Sequence, residues 1–448
     1  MSKARDYNYI KDEDKPNDRQ MSAENYLKEH NIEGILAEMI NYLLHKRFKS
    51  PIVGMIKYLG GLLTEEERKE NQLEIPDPQI DYHPIVTMPK LNKDGCNSLL
   101  KEFLTNSIWS EISKKISKFG INASNIMRLH EVSPENNIGC FIGDADCLTK
   151  FAPIYNPIIC KVHDLKIKEL KEFTQNNFNL QNIEAKDIKD IDISQIQGLL
   201  KIDFSISRNL PNSPFTYFLN SENRSEKVVN AFKSEFKKIN VIKELKMYEN
   251  LSQIEANKIL RTFNFDMNFF NAVNPNINLI QKQRLIYEND SLMVLVNYCD
   301  NLQLIYRMNI PSIMEFLNGK NNEKNETLND RFIKSFNYFS DIIRKIQYYY
   351  GFEFNHNFGY LTSNIATLGR GFSITSEIDL DKINKEDNND KLKEKLDQLD
   401  KYTDTCRIIS GDNENPTRLI FTSSPKISQE SIPEFLVNYF KKIDGLKS

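Results

Sequence analysis

Two consecutive amphipathic stretches between residues 21 and 64 constrain the fold more than any other feature of this 448-residue chain. Their apolar side chains recur at the i, i+3, i+4 and i+7 spacing of one helix face. Pro51 suits the first turn of the second helix, and Gly60 and Gly61 suit its end. Because a helical hairpin of about 40 residues is too small to support a core, we expect its apolar faces to pack against something else.

The apolar residues of both stretches are the candidate contact residues of this segment. These residues are Ile32, Ile35, Leu36, Met39, Ile40, Leu43, Leu44, Ile52, Ile56 and Leu59. The sequence AENYLKEHNIEGILAEMINYLLHKRFKSPIVGMIKYL resembles the RIIα-type dimerization/docking family in its start, its apolar spacing and the basic Arg47 before Pro51. The resemblance implies a homo- or heterodimer that accepts an amphipathic helix of an anchoring protein. A hairpin packed on the rest of the chain is the alternative.

Composition excludes several classes of partner. The chain has 59 Lys and Arg against 62 Asp and Glu, so no basic excess predicts nucleic acid binding. Its charged N-terminus lacks the apolar core of a secretory signal, and its longest apolar stretch is too short and interrupted to span a bilayer. The six cysteines form no CxxC pair and the six histidines no ligand spacing. We therefore expect a cytoplasmic protein with reduced thiols, no metal and no membrane insertion.

The rest of the chain predicts an α+β fold. Short apolar runs such as SLMVLVNY and RLIFTSS predict strands, and residues 331–349 and 430–443 predict amphipathic helices. Strands and helices do not alternate strictly, which favours an antiparallel sheet flanked by helices over a parallel one. The predicted segments are a flexible tail (1–20), the docking helices (21–64), a linker (65–91), an α domain (92–170), a second linker (171–199) and an α+β domain (200–445).

Four sequence blocks resemble the phosphagen (arginine/creatine) kinase family and occur in that family's order. They are IGCFIGDADCLTKFAPIYNPII, SRNLPNSPF, RLIYENDSLMVLVNYCDNLQLI and HNFGYLTSNIATLGRGFSITSEIDL. The resemblance covers about residues 92–443. It implies a small all-α domain followed by a larger domain of the glutamine-synthetase/guanido kinase type. Members of the family transfer the γ-phosphoryl group of MgATP to a guanidino compound, using an arginine cage, carboxylates and a cysteine thiolate.

Eight positions that align with family catalytic residues carry residues without that chemistry. Asp203, Ser205, Gln303, Ser373 and Ser410 replace arginines, Tyr298 and Cys299 replace glutamates, and Asn364 replaces the cysteine. Asp300 and Arg407 persist. Asp203 is expected to repel a nucleotide phosphate, and Arg307, about 13 Å along a strand from Gln303, is too distant to replace the arginine missing there.

The sequence thus predicts no catalytic residue and no cofactor. The predicted function is a catalytically inactive, phosphagen kinase-like scaffold that docks onto a partner helix. The docking resemblance places it in a ciliary or flagellar axonemal complex. One alternative is an active ATP:guanidino phosphotransferase with a divergent site. Another is a nucleotide sensor without chemistry, for which Arg370 is the weak candidate contact.

Overall fold

The structure is a computed structural model with two compact units, residues 1–84 and 85–448. It describes residues 25–46, 48, 50–63, 67, 70, 88–89, 91, 97–133, 136–166, 172–219, 222–263, 283–310, 326–380, 396, 398–411, 416–427 and 431–445. The predicted tail 1–20 and most of the predicted linker 65–91 lie outside these residues. A search of the described helices for one long and apolar enough to cross a bilayer finds none.

The first unit is a helical hairpin, as the apolar spacing predicts. Helix α1 spans Ile32–Lys46 and helix α2 spans Pro51–Leu62, with Pro51 in its first turn and the Ser50 side chain accepting a hydrogen bond from the Val53 amide. Gly54 lets α2 pack closely on the rest of the hairpin, because a Cβ atom there would lie 2.2 Å from the Phe48 ring of the connecting segment and 2.7 Å from the Leu43 side chain of α1.

The second unit begins with a small helical domain. Its helices are α3 (Leu99–Phe103), α4 (Asn106–Ile112), α5 (Ala123–Ile126), α6 (Arg128–Val132), α7 (Ala145–Lys150) and α8 (Ala152–Val162). Helix α8 lies at its centre and buries the residues Ile154, Tyr155, Ile158, Ile159 and Val162. Asp144 caps α7, where its carboxylate accepts a hydrogen bond from the Cys147 amide at 2.8 Å.

The segment predicted as the second linker, residues 171–199, is well packed where the structure describes it. It contains α9 (Gln175–Phe178) and two short 3-10 turns, Ala185–Ile188 and Ile193–Gln195. Apolar side chains at every second to fifth position are buried against the sheet domain's helices: Phe178, Leu180, Ile183, Ile188, Ile191, Ile193 and Ile196. Despite its polar composition, this segment is therefore a packed connection between the two domains, which we call the strap.

An eight-stranded antiparallel sheet forms the larger domain. Its strands are β1 (Leu199–Arg208), β2 (Lys246–Glu249), β3 (Leu285–Glu288), β4 (Leu292–Val296), β5 (Leu302–Asn309), β8 (Phe372–Asp379), β9 (Asp404–Gly411) and β10 (Pro416–Ser423). Their order across the sheet is β2-β3-β4-β5-β1-β8-β10-β9. A separate small hairpin pairs β6 (Phe354–Asn355) with β7 (Gly359–Tyr360).

Helices cover both faces of this sheet. On one face lie α10 (Glu222–Phe236), α11 (Asn240–Lys243), α13 (Leu328–Tyr349) and α14 (Ile432–Gly445), and α12 (Gln253–Thr262) packs with a second hydrophobic cluster on the other. On β1 the Phe204 ring meets three α13 rings, Phe332, Phe336 and Phe339, with centroids 5.4 to 5.8 Å apart. The predicted fold class, an α domain followed by an antiparallel sheet flanked by helices, is confirmed.

Candidate functional site

The central strands β1, β5 and β8 bring four of the predicted positions together, Asp203, Ser205, Gln303 and Ser373. In the antiparallel register Ser205 lies opposite Ser373 on β8, while the neighbouring Ser207 lies opposite Gln303 on β5. Directly opposed residues of antiparallel strands project to the same face of a sheet. We call this face, which carries Asp203, Ser205 and their partners, the polar face.

The polar face replaces charge with neutral hydrogen bonds at two of these positions. The Gln303 amide Nε2 donates to the Ser205 hydroxyl at 3.2 Å, joining β5 to β1. Ser373 adds a second hydroxyl next to Ser205 across the β1–β8 ladder. The side chains of these three residues therefore present hydroxyl and amide groups, but no cation, to a phosphate.

The structure corrects the prediction that Asp203 presents a repelling charge. Arg307 lies directly opposite it on β5, and its Nε and Nη2 atoms donate to the two carboxylate oxygens at 2.7 and 2.6 Å. Both side chains are buried. Burial raises the pKa of the Asp203 carboxyl, although the Arg307 guanidinium acts in the opposite direction. A bidentate pair of this kind neutralises both charges within the protein.

Arg307 also anchors a helix over the polar face. Its Nη1 atom donates to the backbone carbonyl of Thr262 at the end of α12, and its guanidinium lies 4.6 Å from the centroid of the Phe263 ring. The same side chain thus fixes two strands and a helix end. This arginine is consequently committed to internal contacts and does not face a ligand.

The two positions of the family glutamates lie in an apolar environment. Tyr298 is buried in a second hydrophobic cluster, and Cys299 packs against that cluster. Burial raises the pKa of the Cys299 thiol to about 12, so the group is neutral near pH 7. The Tyr217 hydroxyl hydrogen-bonds with this thiol. Neither position supplies a carboxylate or another base.

Asp300, the residue that persists from the family pattern, holds the site's framework together. Its Oδ1 atom accepts hydrogen bonds from the Asn209 side chain at 2.7 Å, the Ser363 amide at 2.8 Å and the Ser363 hydroxyl at 2.7 Å. Burial raises the pKa of the Asp300 carboxyl, while these donors act to lower it. The carboxylate therefore ties the ends of β1 and β4 to the loop after β7.

That loop, residues 362–371, forms a 3-10 turn, but the position that aligns with the family cysteine holds an asparagine. Asn364 occupies the cysteine position, and its side chain accepts a hydrogen bond from the Ala366 amide at 3.0 Å, which caps the 3-10 turn Ile365–Thr367. Gly371 has a positive φ of 61°, and a Cβ atom there would lie 2.5 Å from the Arg208 guanidinium. Asn364 thus stabilises the start of the 3-10 turn through its side chain.

One arginine lies within the loop and another beside it, and only the first, Arg370, is a candidate from the sequence. Arg370, the weak candidate for an anion contact, is half-buried; its Nη2 atom donates to the Asn177 carbonyl at 3.5 Å, and its guanidinium faces the Phe178 ring at 5.9 Å. Arg208 is fully buried, donates to the Arg370 carbonyl at 2.6 Å and stacks 3.9 Å from the Tyr360 ring centroid. Desolvation lowers the pKa of Arg208 to about 10. Its place in the block SRNLPNSPF was the only available sign of this role.

The remaining aligned positions lie towards the edge of the sheet. Arg407 is an exposed residue of β9, opposite Ile420 of β10. Ser410 belongs to the same strand and pairs with Arg418, but its side chain is outside the described part of the chain. Position 410 is therefore placed in the sheet by its backbone only.

The hairpin of the first unit leaves much of the predicted docking face exposed. Leu44 and Ile52 are 65% and 69% exposed. The other exposed members of the predicted set are Leu36, Ile40, Ile56 and Leu59. Met39, in contrast, is buried in the hairpin itself, and Ile32, Ile35 and Leu43 are half-buried. The exposed apolar surface of the hairpin is thus narrower than the predicted set of residues, because Met39 and its half-buried neighbours pack within the hairpin.

Comparisons with known proteins match the second unit. The family described as "ATP:guanido phosphotransferase, N-terminal domain" matches residues 94–160. A probable arginine kinase of Caenorhabditis elegans is 25% identical over 131 residues, which is 29% of this chain and 32% of that protein. An arginine kinase of Callinectes sapidus is 31% identical over 68 residues, 15% of this chain and 19% of that protein. The matches therefore span less than a third of these relatives.

Solved structures share the fold over a larger part of the chain. The substrate-free duplicated taurocyamine kinase from Schistosoma mansoni has a TM-score of 0.60 at 12% identity, covering 80% of this chain and 47% of that one. A lombricine kinase has a TM-score of 0.54 at 12% identity, covering 80% and 93%. The sequence match supports a relationship to the phosphagen (guanidino) kinases, and the structural match shows their fold.

Proposed function

We propose, from the supported relationship to the phosphagen kinases, that this chain is a catalytically inactive scaffold built on their fold. The observation that carries the proposal is the internal pairing of the polar face. Asp203 and Arg307 neutralise each other, and Ser205 and Gln303 bond to each other. Of the aligned arginine positions only that of Arg407, an exposed residue of β9, keeps an arginine; the other described ones, Asp203, Ser205, Gln303 and Ser373, carry no cation.

The chemistry of phosphoryl transfer explains why this pairing matters. The transferring group spreads negative charge over its oxygens, and catalysis comes from preorganised positive groups that stabilise that charge. Removing one such donor commonly costs about 10²–10³ in rate. Here the aligned donors are replaced together, and the base position holds a thiol with a pKa of about 12. With these substitutions, the replaced positions no longer supply the groups that would stabilise the transition state.

The exposed face of the hairpin supports docking as the positive function. Leu36, Ile40 and Leu44 follow one another at i and i+4 spacing on α1, and all three are exposed. Contiguous exposed apolar surface of this kind marks an interaction site. The hairpin accordingly forms a homo- or heterodimer and accepts an amphipathic helix of an anchoring protein. The resemblance to RIIα-type modules supports a location in a ciliary or axonemal complex.

A second candidate, an active ATP:guanidino phosphotransferase, is favoured by the intact framework around Asp300. The bonds from Asn209 and Ser363 to this carboxylate hold the strand ends and the loop in place. Such an enzyme requires a source of positive charge beyond the aligned positions. Arg370 is the candidate that the sequence offers, and its guanidinium already faces Phe178 and the Asn177 carbonyl.

Isothermal titration of the full-length protein with MgATP and MgADP, with and without arginine, tests the proposal. We expect no saturable heat at millimolar nucleotide and no phosphoryl transfer above background with arginine, creatine or taurocyamine. An active arginine kinase titrated in the same buffer provides the positive control. Saturable binding together with turnover that scales with protein and survives repurification would establish the enzyme instead. Binding without turnover that disappears in Arg370→Ala would identify a nucleotide sensor.

A further inference from the structure

The segment 141–143 of the α domain makes backbone hydrogen bonds to the sheet domain. The Ile142 amide donates to the Ser363 carbonyl at 2.9 Å, and the Phe215 amide donates to the Gly143 carbonyl at 2.8 Å. Two backbone hydrogen bonds therefore join the α domain to two different loops of the sheet domain. Both bonds must break if the domains are to separate.

The side chain beside these bonds contributes an aromatic contact. Phe141 stacks on Tyr217 with ring centroids 4.7 Å apart and an angle of 18° between the ring planes. Phe141 is buried, and the Tyr155 hydroxyl donates to its backbone carbonyl from within the α domain. The ring is thus held on its own side by α8 and pressed against the sheet domain on the other.

This stack belongs to a hydrophobic cluster that crosses the domain boundary. Leu129 and Phe141 come from the α domain. The other buried members come from the sheet domain: Tyr217, Leu219, Ala256, Leu260, Phe263, Ile286, Met293, Leu295, Tyr298 and Ile305. The cluster includes Tyr298 and contacts Cys299, the two positions that align with the family glutamates. The cluster therefore packs around both of these positions.

We propose that Phe141 and Tyr217 form an aromatic plug that holds the α domain closed on the sheet domain and keeps ligands away from position 299. Separation of the domains would return both rings to water, and a buried aromatic side chain covers roughly 150–250 Å². Burial of that much apolar surface makes the open state rarer than about one molecule in a thousand. The second unit then acts as one rigid body. This inference does not depend on whether a nucleotide binds.

Hydrogen–deuterium exchange of the full-length protein tests the plug directly. In the wild type, the Ile142 and Phe215 amides should exchange as slowly as the Phe204 amide of the central strand β1, because all three should require global unfolding. Exchange of the first two amides about a hundredfold faster than that of Phe204 would overturn the proposal, since it would reveal frequent opening of the domains.

Substitutions of Phe141 distinguish local opening of the two domains from a loss of global stability. Phe141→Ala should accelerate exchange at Ile142 and Phe215 about a hundredfold or more relative to Phe204, and Phe141→Leu should have a smaller effect in the same direction. The matched control is Phe421→Ala, which removes a stacked pair with Tyr439 that lies wholly inside the sheet domain. That control should accelerate all three amides equally. If the Phe141 variants also accelerate exchange of all three amides equally, the plug is rejected. Phe141→Leu provides the same test if the alanine variant does not fold.

Discussion

Arg307 and Asp203 face each other across β5 and β1 and form a buried, bidentate ion pair in the middle of the polar face. The two residues are 104 positions apart in sequence. The pair lies beside the neutral Gln303–Ser205 bond, and it holds the end of α12 through Thr262. Charge at the centre of the sheet is therefore used to join two strands and a helix end.

Removing one member of this pair should destabilise the protein strongly. Asp203→Ala leaves the buried Arg307 guanidinium without its counter-ion, and such changes cost about 3–5 kcal/mol. The double variant Asp203→Leu, Arg307→Met removes both charges and should recover most of that loss. Urea denaturation of the wild type, both single variants and the double variant gives the coupling free energy. A loss below about 1 kcal/mol for Asp203→Ala would contradict a buried, committed pair.

Restoring a carboxylate at the aligned base position should not restore a base. Cys299→Glu places a second acid beside the buried Asp300 in an environment that already raises the pKa of both residues. We expect a loss of about 2–4 kcal/mol in unfolding free energy at pH 7 and no phosphoryl transfer. Cys299→Gln is the control of nearly equal size without the charge. If the two variants are equally stable at pH 7, the site is more solvated than its contacts indicate.

The exposed face of the hairpin can be tested by placing a charge on it. Ile40→Asp or Leu44→Asp should leave the helix intact, because both side chains are more than half exposed in the single hairpin. In a dimer, however, the new carboxylate would be buried without a partner, which costs several kcal/mol. Light scattering should therefore report a dimer for the wild type and a monomer for either variant.

A control for this prediction exists in the second unit. Ile254 on α12 is 83% exposed, so Ile254→Asp makes the same chemical change away from the hairpin. That variant should remain dimeric. A dimeric Ile40→Asp variant would show that the hairpin does not provide the dimer contact.

The sequence predicts those features that depend on local spacing and on motifs. Apolar periodicity predicts both hairpin helices and the long helix α13, and apolar runs predict β4 and β10. The family blocks predict the order of the two domains. These features persist because each is specified by residues close together in the chain.

Contacts that depend on strand register cannot be predicted from the sequence in this way. The sequence suggests that Asp203 is a free acid because nothing local indicates that β5 places Arg307 opposite it. The Phe141–Tyr217 stack likewise joins residues 76 positions apart, on two domains. In the strap, the segment 171–199, the buried apolar residues are spaced too irregularly to show a helix or strand period, so its polar residues dominate the pattern.

A buried histidine makes the stability of the second unit depend on pH. His163 ends α8; its Nε2 atom donates to the Ile365 carbonyl at 2.7 Å, and its Nδ1 atom accepts from the Ile427 amide at 3.2 Å. Burial lowers the pKa of His163 from 6.5 to about 4 in the folded protein. The neutral ring is thus required by the fold, whereas the unfolded chain binds a proton below pH 6.5.

The sign of the effect follows from that difference in pKa. The stability that His163 contributes is complete above pH 6.5 and is lost as the pH falls towards 4, by about 3 kcal/mol in total. Asp203 and Asp300 have raised pKa values and act in the opposite direction, so the wild-type curve alone does not isolate the histidine. His163→Gln keeps a donor and an acceptor but cannot titrate. Subtracting its urea-denaturation curve from that of the wild type should leave a difference that falls between pH 6.5 and 4, and a flat difference would assign the acid sensitivity to other groups.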